Sequence, residues 1–363
     1  MKILFISKEW VQINDSGLGI SADIHFKILK DLKYKVETVS LNEKFTDYNL
    51  GLLNYKSFFK NPFSFINKVK NILDVSKPDL IVVEGLQTLI SEIFLTLAFK
   101  KKIKTVLFSH GVSIFPYSQR IKYYLRFMLW SFYIPYLKFI MKNIDIFYSL
   151  DLDSKSPRHL DSQIRKNISN KKNLEYFNIS RFNENIHLKF DNNNKKIVLL
   201  LGYINHIKNQ KEIIKISKLT KDLDIVFRLV YSECDIRYKK ELENLIKKNN
   251  LDNIQLIHHN ETNIKEEINK SWILINVSLT EVMPLSLMEG MYFGKPFLSF
   301  KNGSIYKLNG GIENNDRKQL AHNLKSLYYS KKLYLNLSSA GEKQISETYN
   351  YSKLKWLIRK TLL

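Results

Sequence analysis

The chain has one cysteine, Cys234, in 363 residues, so no disulfide can close within it, and a reducing compartment is the simplest setting. Its 12 glycines and 7 prolines are too few for a collagen-like or low-complexity chain. Apolar runs are short. The longest uncharged run in the aromatic middle, residues 127–137, is bracketed by Arg126 and Lys138, and a membrane-crossing helix needs about 20 residues. The apolar start, residues 1–7, is followed at once by Lys8 and Glu9 and has no cleavage pattern. It reads as a buried first strand, not as a secretion signal. There is no Walker A loop, no GxGxxG, no zinc-type Cys/His set and no GxSxG elbow. Acidic residues are scarce, 35 against 57 Lys and Arg, for a net charge of +22. What is present is ordinary for a globular protein: 44 % hydrophobic and 25 % charged residues, in a length that suits two domains.

Both halves are basic, but the first has two stretches with no acid at all. Residues 93–144 carry Lys100, Lys101, Lys102, Lys104, Arg120, Lys122, Arg126, Lys138 and Lys142. Residues 48–73 carry Lys56, Lys60, Lys68 and Lys70. Aromatics are interleaved, among them Phe58, Phe59, Phe63, Tyr123, Tyr124, Trp130 and Phe132. Rings at headgroup depth and cations above them suit an anionic membrane surface. The same pattern serves single-stranded nucleic acid, or reflects a chain that is lysine-rich throughout.

Short apolar runs alternate with helical-period segments. Strands are expected at 2–6, 35–41, 80–83, 105–108 and 144–150, with a helix over 20–32. A polar break at 191–196 follows, and the pattern restarts. Strands are expected at 197–201, 225–230, 254–258 and 273–277, with helices at 210–219, 236–249 and 264–270. Repeated βα alternation predicts parallel sheets covered by helices. Two Rossmann-like domains follow, 1–185 and 186–350, with a terminal helix over 351–363 that packs back on the first. Open α/β sheets bind ligands beyond the carboxyl ends of their strands, so the cleft between two facing sheets is the expected site.

Residues 280–290 read Thr-Glu-Val-Met-Pro-Leu-Ser-Leu-Met-Glu-Gly. Pro284 suits the first turn of a helix, and Gly294 with Pro296 ends it. A helix starting at Pro284, Leu285 and Ser286 presents N–H groups and a partial positive charge to phosphate. Glu281 precedes that helix, and Glu289 lies inside it. By spacing alone, two solvated acids on a capped helix are the favoured reading. His258 and His259 end a strand and are expected to point to opposite faces, which disfavours a metal pair. Asp151 and Asp153 form an Asp-x-Asp tripeptide of the kind that also arises by chance.

The block Glu281-x7-Glu289, with Gly294 and Pro296 after it, resembles the signature of retaining GT-B glycosyltransferases of the family 4, or glycosyl transferases group 1, type. Other pieces agree in order. Gly202-Tyr-Ile-Asn-His-Ile-Lys208 is similar to the family's block whose lysine binds a diphosphate. Residues 15–19, with Gly17, resemble its glycine-bearing first loop. Ser109-His110-Gly111 resembles the histidine turn that faces the donor sugar. Tyr203, Val282 and Tyr231-Ser232 depart from the family pattern, Tyr203 replacing an arginine.

The resemblance implies an α/β fold of two tandem Rossmann-like domains (GT-B) facing each other across a cleft. It implies a retaining, metal-independent transfer from a UDP- or GDP-type sugar, a co-substrate, with no cofactor. Glu281 and His110 would serve the reacting sugar. Lys208, Glu289, Gly17, Gly202, Pro284, Leu285 and Ser286 would hold the donor. Arg120, Lys122 and Arg126 would meet a lipid-linked glycan acceptor or an anionic membrane surface, at the cytoplasmic face, in cell-surface polysaccharide synthesis. No nucleic acid is expected as a partner. A nucleotide-sugar epimerase on the same fold and a basic nucleic-acid or membrane-surface binder are the rival readings.

Overall fold

A computed structural model of the chain describes residues 1–8, 16–41, 46–50, 60–113, 128, 131–153, 157–168, 172–182 and 196–362. The chain divides into two compact units, residues 1–177 with 354–363, and residues 178–353. The polar break at 191–196 lies almost wholly outside the described residues.

The first unit is built on seven strands: β1 (Lys2–Ser7), β2 (Lys35–Ser40), β3 (Tyr48–Asn49), β4 (Leu80–Glu84), β5 (Lys104–Ser109), β6 (Ile146–Ser149) and β7 (Lys172–Glu175). They pair in parallel in the order β3-β2-β1-β4-β5-β6-β7. Every residue of β4 is buried, as a parallel sheet covered on both faces requires. Among the described residues these strands are accompanied by α1 (Gly17–Asp31), α2 (Pro62–Ser76), α3 (Ile90–Lys100), α4 (Tyr133–Asn143) and α5 (Leu160–Ile168). Helix α1 starts where Ser16 Oγ accepts from Gly19 N, three residues ahead of the expected start, because a serine cap fixes the N-terminus more firmly than the first apolar residue does. Helix α2, within the acid-free stretch, is capped by Asn61 with Pro62 at its first position. Helices α2, α3 and α4 pack side by side and close one apolar core that includes Phe65, Val69, Phe94, Leu137 and Ile140. Buried Arg165 of α5 donates to the carbonyls of Met141 and Ile144 and to Asn173, tying the end of α4 to β7.

The second unit repeats the plan with six strands: β8 (Lys196–Leu201), β9 (Ile225–Tyr231), β10 (Ile254–His258), β11 (Ile273–Asn276), β12 (Phe297–Phe300) and β13 (Gly311–Asn314). Their order is β10-β9-β8-β11-β12-β13, again parallel. The helices are α6 (Lys211–Leu219), α7 (Ile236–Lys248), α8 (Ile264–Lys270), α9 (Leu285–Tyr292), α10 (Arg317–Tyr329) and α11 (Lys331–Glu347), followed by α12 (Tyr351–Leu362). Side chains of Asp235, Asn263 and Asp316 cap α7, α8 and α10. From residue 354 on, α12 belongs to the first unit, where Lys172 Nζ donates to Thr361 O at 3.3 Å.

Glu92, in the first turn of α3, is buried among apolar groups. Its Oε1 accepts from Gln87 N at 2.5 Å and from Tyr133 Oη at 2.8 Å. Burial still pushes its carboxyl above the ordinary carboxylate range. The folded state therefore holds this proton better than the unfolded chain does, and stability falls as pH rises through that window. Glu92→Gln keeps an acceptor and removes the charge. Its urea midpoint relative to wild type is expected to rise from about pH 4 to about pH 8. A difference that stays constant with pH would show that the charge is not what costs stability here.

Candidate functional site

In a doubly wound sheet the strand order reverses beside the first strand, and the connections there leave in opposite directions. In the second unit this point lies between β8 and β11. The turn after β8 and the loop after β11 meet there. Leu279 N donates to Ile207 O at 2.8 Å, Asn209 Nδ2 to Val277 O at 3.2 Å, and Lys208 N to Asn205 Oδ1 at 2.9 Å. Into this frame Lys208 Nζ reaches Glu281 Oε1 at 2.6 Å, and Asn276 Nδ2 lies 3.4 Å from the same oxygen. Gly202, at φ +146°, lets the turn begin, and its Cα lies beneath the Lys208 stem.

Pro284 is the N-cap of α9, not a residue of its first turn: its ψ of 114° is extended, and the helix starts at Leu285. Proline has no side-chain acceptor, and no side chain caps this helix. Leu285 and Ser286 form its first turn. Glu289, buried one turn on, accepts from Arg181 Nε at 2.7 Å. Gly290 packs so tightly that a Cβ would lie 2.6 Å from Leu274 Cδ1, which holds α9 against β11.

The Glu281 loop has a second support. Ser304 N donates to Val282 O at 2.7 Å, and Asn302 Nδ2 to Ser278 O at 2.8 Å. Between them Gly303, at φ +52°, lies against the carbonyls of Glu281 and Val282.

His110 and Gly17 belong to the first unit, at its own reversal point between β1 and β4. His110 follows β5, and its Nε2 lies 2.8 Å from Glu84 Oε2. The other oxygen, Oε1, lies 2.7 Å from His25 Nδ1 of α1. Burial alone would raise the Glu84 carboxyl; the two histidines outweigh it and hold it below its ordinary range. Leu18 and His110 both approach Gly85, so the start of α1 and the histidine turn are neighbours. A Cβ on Gly17 would meet nothing within 4 Å.

Thus Lys208 and Glu281 come together, Gly202 lies under the lysine, and Pro284, Leu285, Ser286 and Glu289 share α9. Arg120, Lys122 and Arg126 lie outside the described residues. The rings of His258 and His259 do not diverge as a strand would demand: they lie 4.8 Å apart, because β10 ends at His258 and a 3-10 turn begins. Asp151 Oδ1 accepts from Asp153 N at 3.0 Å, a local turn. Among the described residues no group of three or more His, Cys, Asp or Glu side chains is arranged to hold a metal ion. Sequence reading missed Arg181, His25 and Glu84. Only Glu84 carried a signal, a carboxylate closing an apolar strand.

Residues 182–344 match the family model of glycosyl transferases group 1. No curated protein sequence matches the chain. Among solved structures it is similar to sucrose-phosphate synthase from Thermosynechococcus elongatus, at TM-score 0.75 and 14 % identity over 99 % of this chain and 98 % of that one. It is similar to Anabaena HepE, solved with UDP and glucose, at TM-score 0.72 and 15 % identity over 100 % and 99 %. The lipopolysaccharide outer core galactosyltransferase WaaB, in its apo form, matches at TM-score 0.63 and 14 % identity over 99 % and 100 %. Two Rossmann-like units in tandem define the GT-B fold. The residues that match the glycosyl transferases group 1 model fall within the second unit, and the chain as a whole has the GT-B fold.

Gly303→Ala would drive a methyl into the carbonyls that carry Glu281, at a left-handed φ. A cost of about 1–3 kcal/mol is expected, read as a lower denaturant midpoint. Gly17→Ala, with open space around it, should stay within about 0.5 kcal/mol of wild type. Equal stability of the two variants would contradict the support assigned to residues 302–304.

Proposed function

We propose that the chain is a retaining glycosyltransferase that moves a sugar from a nucleoside-diphosphate sugar, of UDP or GDP type, to a lipid-linked glycan acceptor during cell-surface polysaccharide synthesis. The observation that carries this reading is the Lys208–Glu281 pair at the reversal point of the second sheet, with α9 and buried Glu289 directly after it. The second unit takes the donor, and the first takes the acceptor. Lys208 and the amides of Leu285 and Ser286 bind the diphosphate, where negative charge gathers as the sugar–phosphate bond breaks. Glu289, oriented by Arg181, accepts ribose hydroxyls. Glu281 accepts hydroxyls of the sugar. A phosphate oxygen of the leaving group takes the acceptor's proton while the acceptor oxygen bonds the anomeric carbon on the same face. Configuration is then retained, and the nucleoside diphosphate departs. The likeness to HepE, whose structure holds UDP and glucose, supports a UDP-type donor.

A lipid-linked acceptor and the inner face of the membrane are supported by the first unit's surface. Phe63 on α2 and Phe132 before α4 are 78 % and 82 % exposed. Lys68, Lys70, Lys138 and Lys142, on those same two helices, are exposed too. Among the described residues no helix is long and apolar enough to cross a membrane, so contact would be with the surface.

A thermal-shift panel with UDP, GDP, ADP and CMP tests the donor. One diphosphate at about 100 times its Kd should add about 2.7 kcal/mol of stability. Glu289→Ala is expected to weaken that binding about tenfold or more. Glu281→Ala should leave it within about threefold and lower turnover instead. No shift with any diphosphate, or unchanged affinity and turnover in both variants, would overturn the assignment.

Flotation with vesicles tests the surface. Wild type should bind phosphatidylglycerol-containing vesicles and not pure phosphatidylcholine. Phe63→Ser and Phe132→Ser combined with Lys138→Glu and Lys142→Glu should abolish binding, each cation contributing about 1 kcal/mol. Equal binding to neutral vesicles would refute the electrostatic part of this reading.

A further inference from the structure

We propose that Glu84 is a positioning residue of the first unit's site: its carboxylate, anchored by His25, fixes which nitrogen of His110 carries a proton and how the ring is turned. This rests on the reading of His110 as a residue of the reaction.

Glu84 ends β4 in full burial, paired in register with Ser7 of β1 and Phe108 of β5. A carboxylate is costly there unless its lone pairs are taken. The two imidazoles take one oxygen each. An ionised carboxylate only accepts, so both rings must donate. His25 donates through Nδ1–H and His110 through Nε2–H. The rings thus carry their protons on opposite nitrogens, and one acidic group determines both. His25 cannot turn away to relax the arrangement. Its ring stacks on Phe108 at 4.1 Å and meets the Tyr176 edge at 5.5 Å. Tyr176 bounds the other side of His110: its hydroxyl donates to Ser109 O at 3.1 Å and lies 3.4 Å from His110 Nδ1. His110 is therefore held at Nε2 and bounded by the Tyr176 ring on the Nδ1 side, while its own ring remains partly exposed. Because His25 stands on α1, the helix that begins at Gly17, the same anchor also fixes that helix relative to His110.

Long-range 1H–15N spectra of the histidine rings test this in the ligand-free protein, assigned with His25→Asn and His110→Gln. Wild type should show a proton on Nδ1 of His25 and on Nε2 of His110. In Glu84→Gln one of the two oxygens is replaced by an NH2 group, which only donates, so the ring that faces it cannot keep its proton there and at least one of the two patterns must change. Unchanged patterns in both rings would overturn the proposal. Turnover is read as hydrolysis of UDP-glucose, or of GDP-mannose for a GDP-type donor. Glu84→Gln should lower kcat about tenfold to a hundredfold with KM within about threefold. His25→Asn, which keeps an N–H near the Nδ1 position, should retain most activity, whereas His25→Leu should fall with Glu84→Gln. That pair decides the matter if Glu84→Gln folds poorly. Loss of turnover in His110→Ala with full turnover in Glu84→Gln and His25→Leu would overturn the positioning role alone. Full turnover in His110→Ala would overturn the reading of His110 on which it rests.

Discussion

The reversal of strand order beside β1 and β8 is the constraint from which both candidate sites follow. Each sheet is a parallel ladder with a central strand, β4 in one and β11 in the other, buried along its whole length, so its register cannot slip without moving apolar side chains out of the core. Where the connections diverge, the carboxyl ends of the strands stay uncovered by the crossover helices. Residues far apart in sequence then arrive at one place with the rigidity of the ladder behind them. Ser7, Glu84 and Phe108 are in register across three strands, and His110 follows directly. In the second sheet the turn after Leu201 and the loop after Asn276 are laced by backbone and asparagine bonds, and Lys208 and Glu281 hang on that lacing. Neither loop needs to be rigid in itself. Each is fixed by the other.

Much of the fold was legible because its signals are local. The strand over residues 254–258 and the helix over 264–270 emerge as expected, since an apolar run or a helical period between turn residues and caps declares itself over a few positions. Elements without such a signal did not. β7 reads Lys-Asn-Leu-Glu, a half-exposed edge strand with no apolar run, and β3 has two residues. Helix α2 carries an asparagine cap and a first-position proline, but its lysines and phenylalanines read more readily as a surface pattern than as a helix. In the site, the Glu281 to Glu289 block gained meaning from its resemblance to a family, not from spacing. Its partners were out of reach of any local rule. Arg181 meets Glu289 across 108 positions, and His25 meets Glu84 across 59. An isolated arginine in a loop and a histidine on an apolar helix face have nothing in their neighbourhoods to mark them.

The paired carboxylates differ in how tightly they are held, and the difference matches what the proposed reaction asks of each. Lys208 and Glu281 have 29 % and 11 % of their side chains exposed, whereas His25 and Glu84 have 2 % and 0 %. An ion pair still open to water is worth about 0–1 kcal/mol, so Lys208 can leave Glu281 for a diphosphate at little cost. That exchange also releases Glu281 to accept hydroxyls. Glu84 has no such freedom. Removing either imidazole would strand a buried charge, at a cost of about 3–5 kcal/mol, so the cluster behaves as one body. Arg181 and Glu289 lie between these limits, with the carboxylate buried and the guanidinium partly exposed. In a chain with a net charge of +22, cations to bind phosphate are plentiful on any surface. What is scarce is an acid in the right place, and each of these three acids is held by named partners at the reversal point of its sheet or on the helix that follows it.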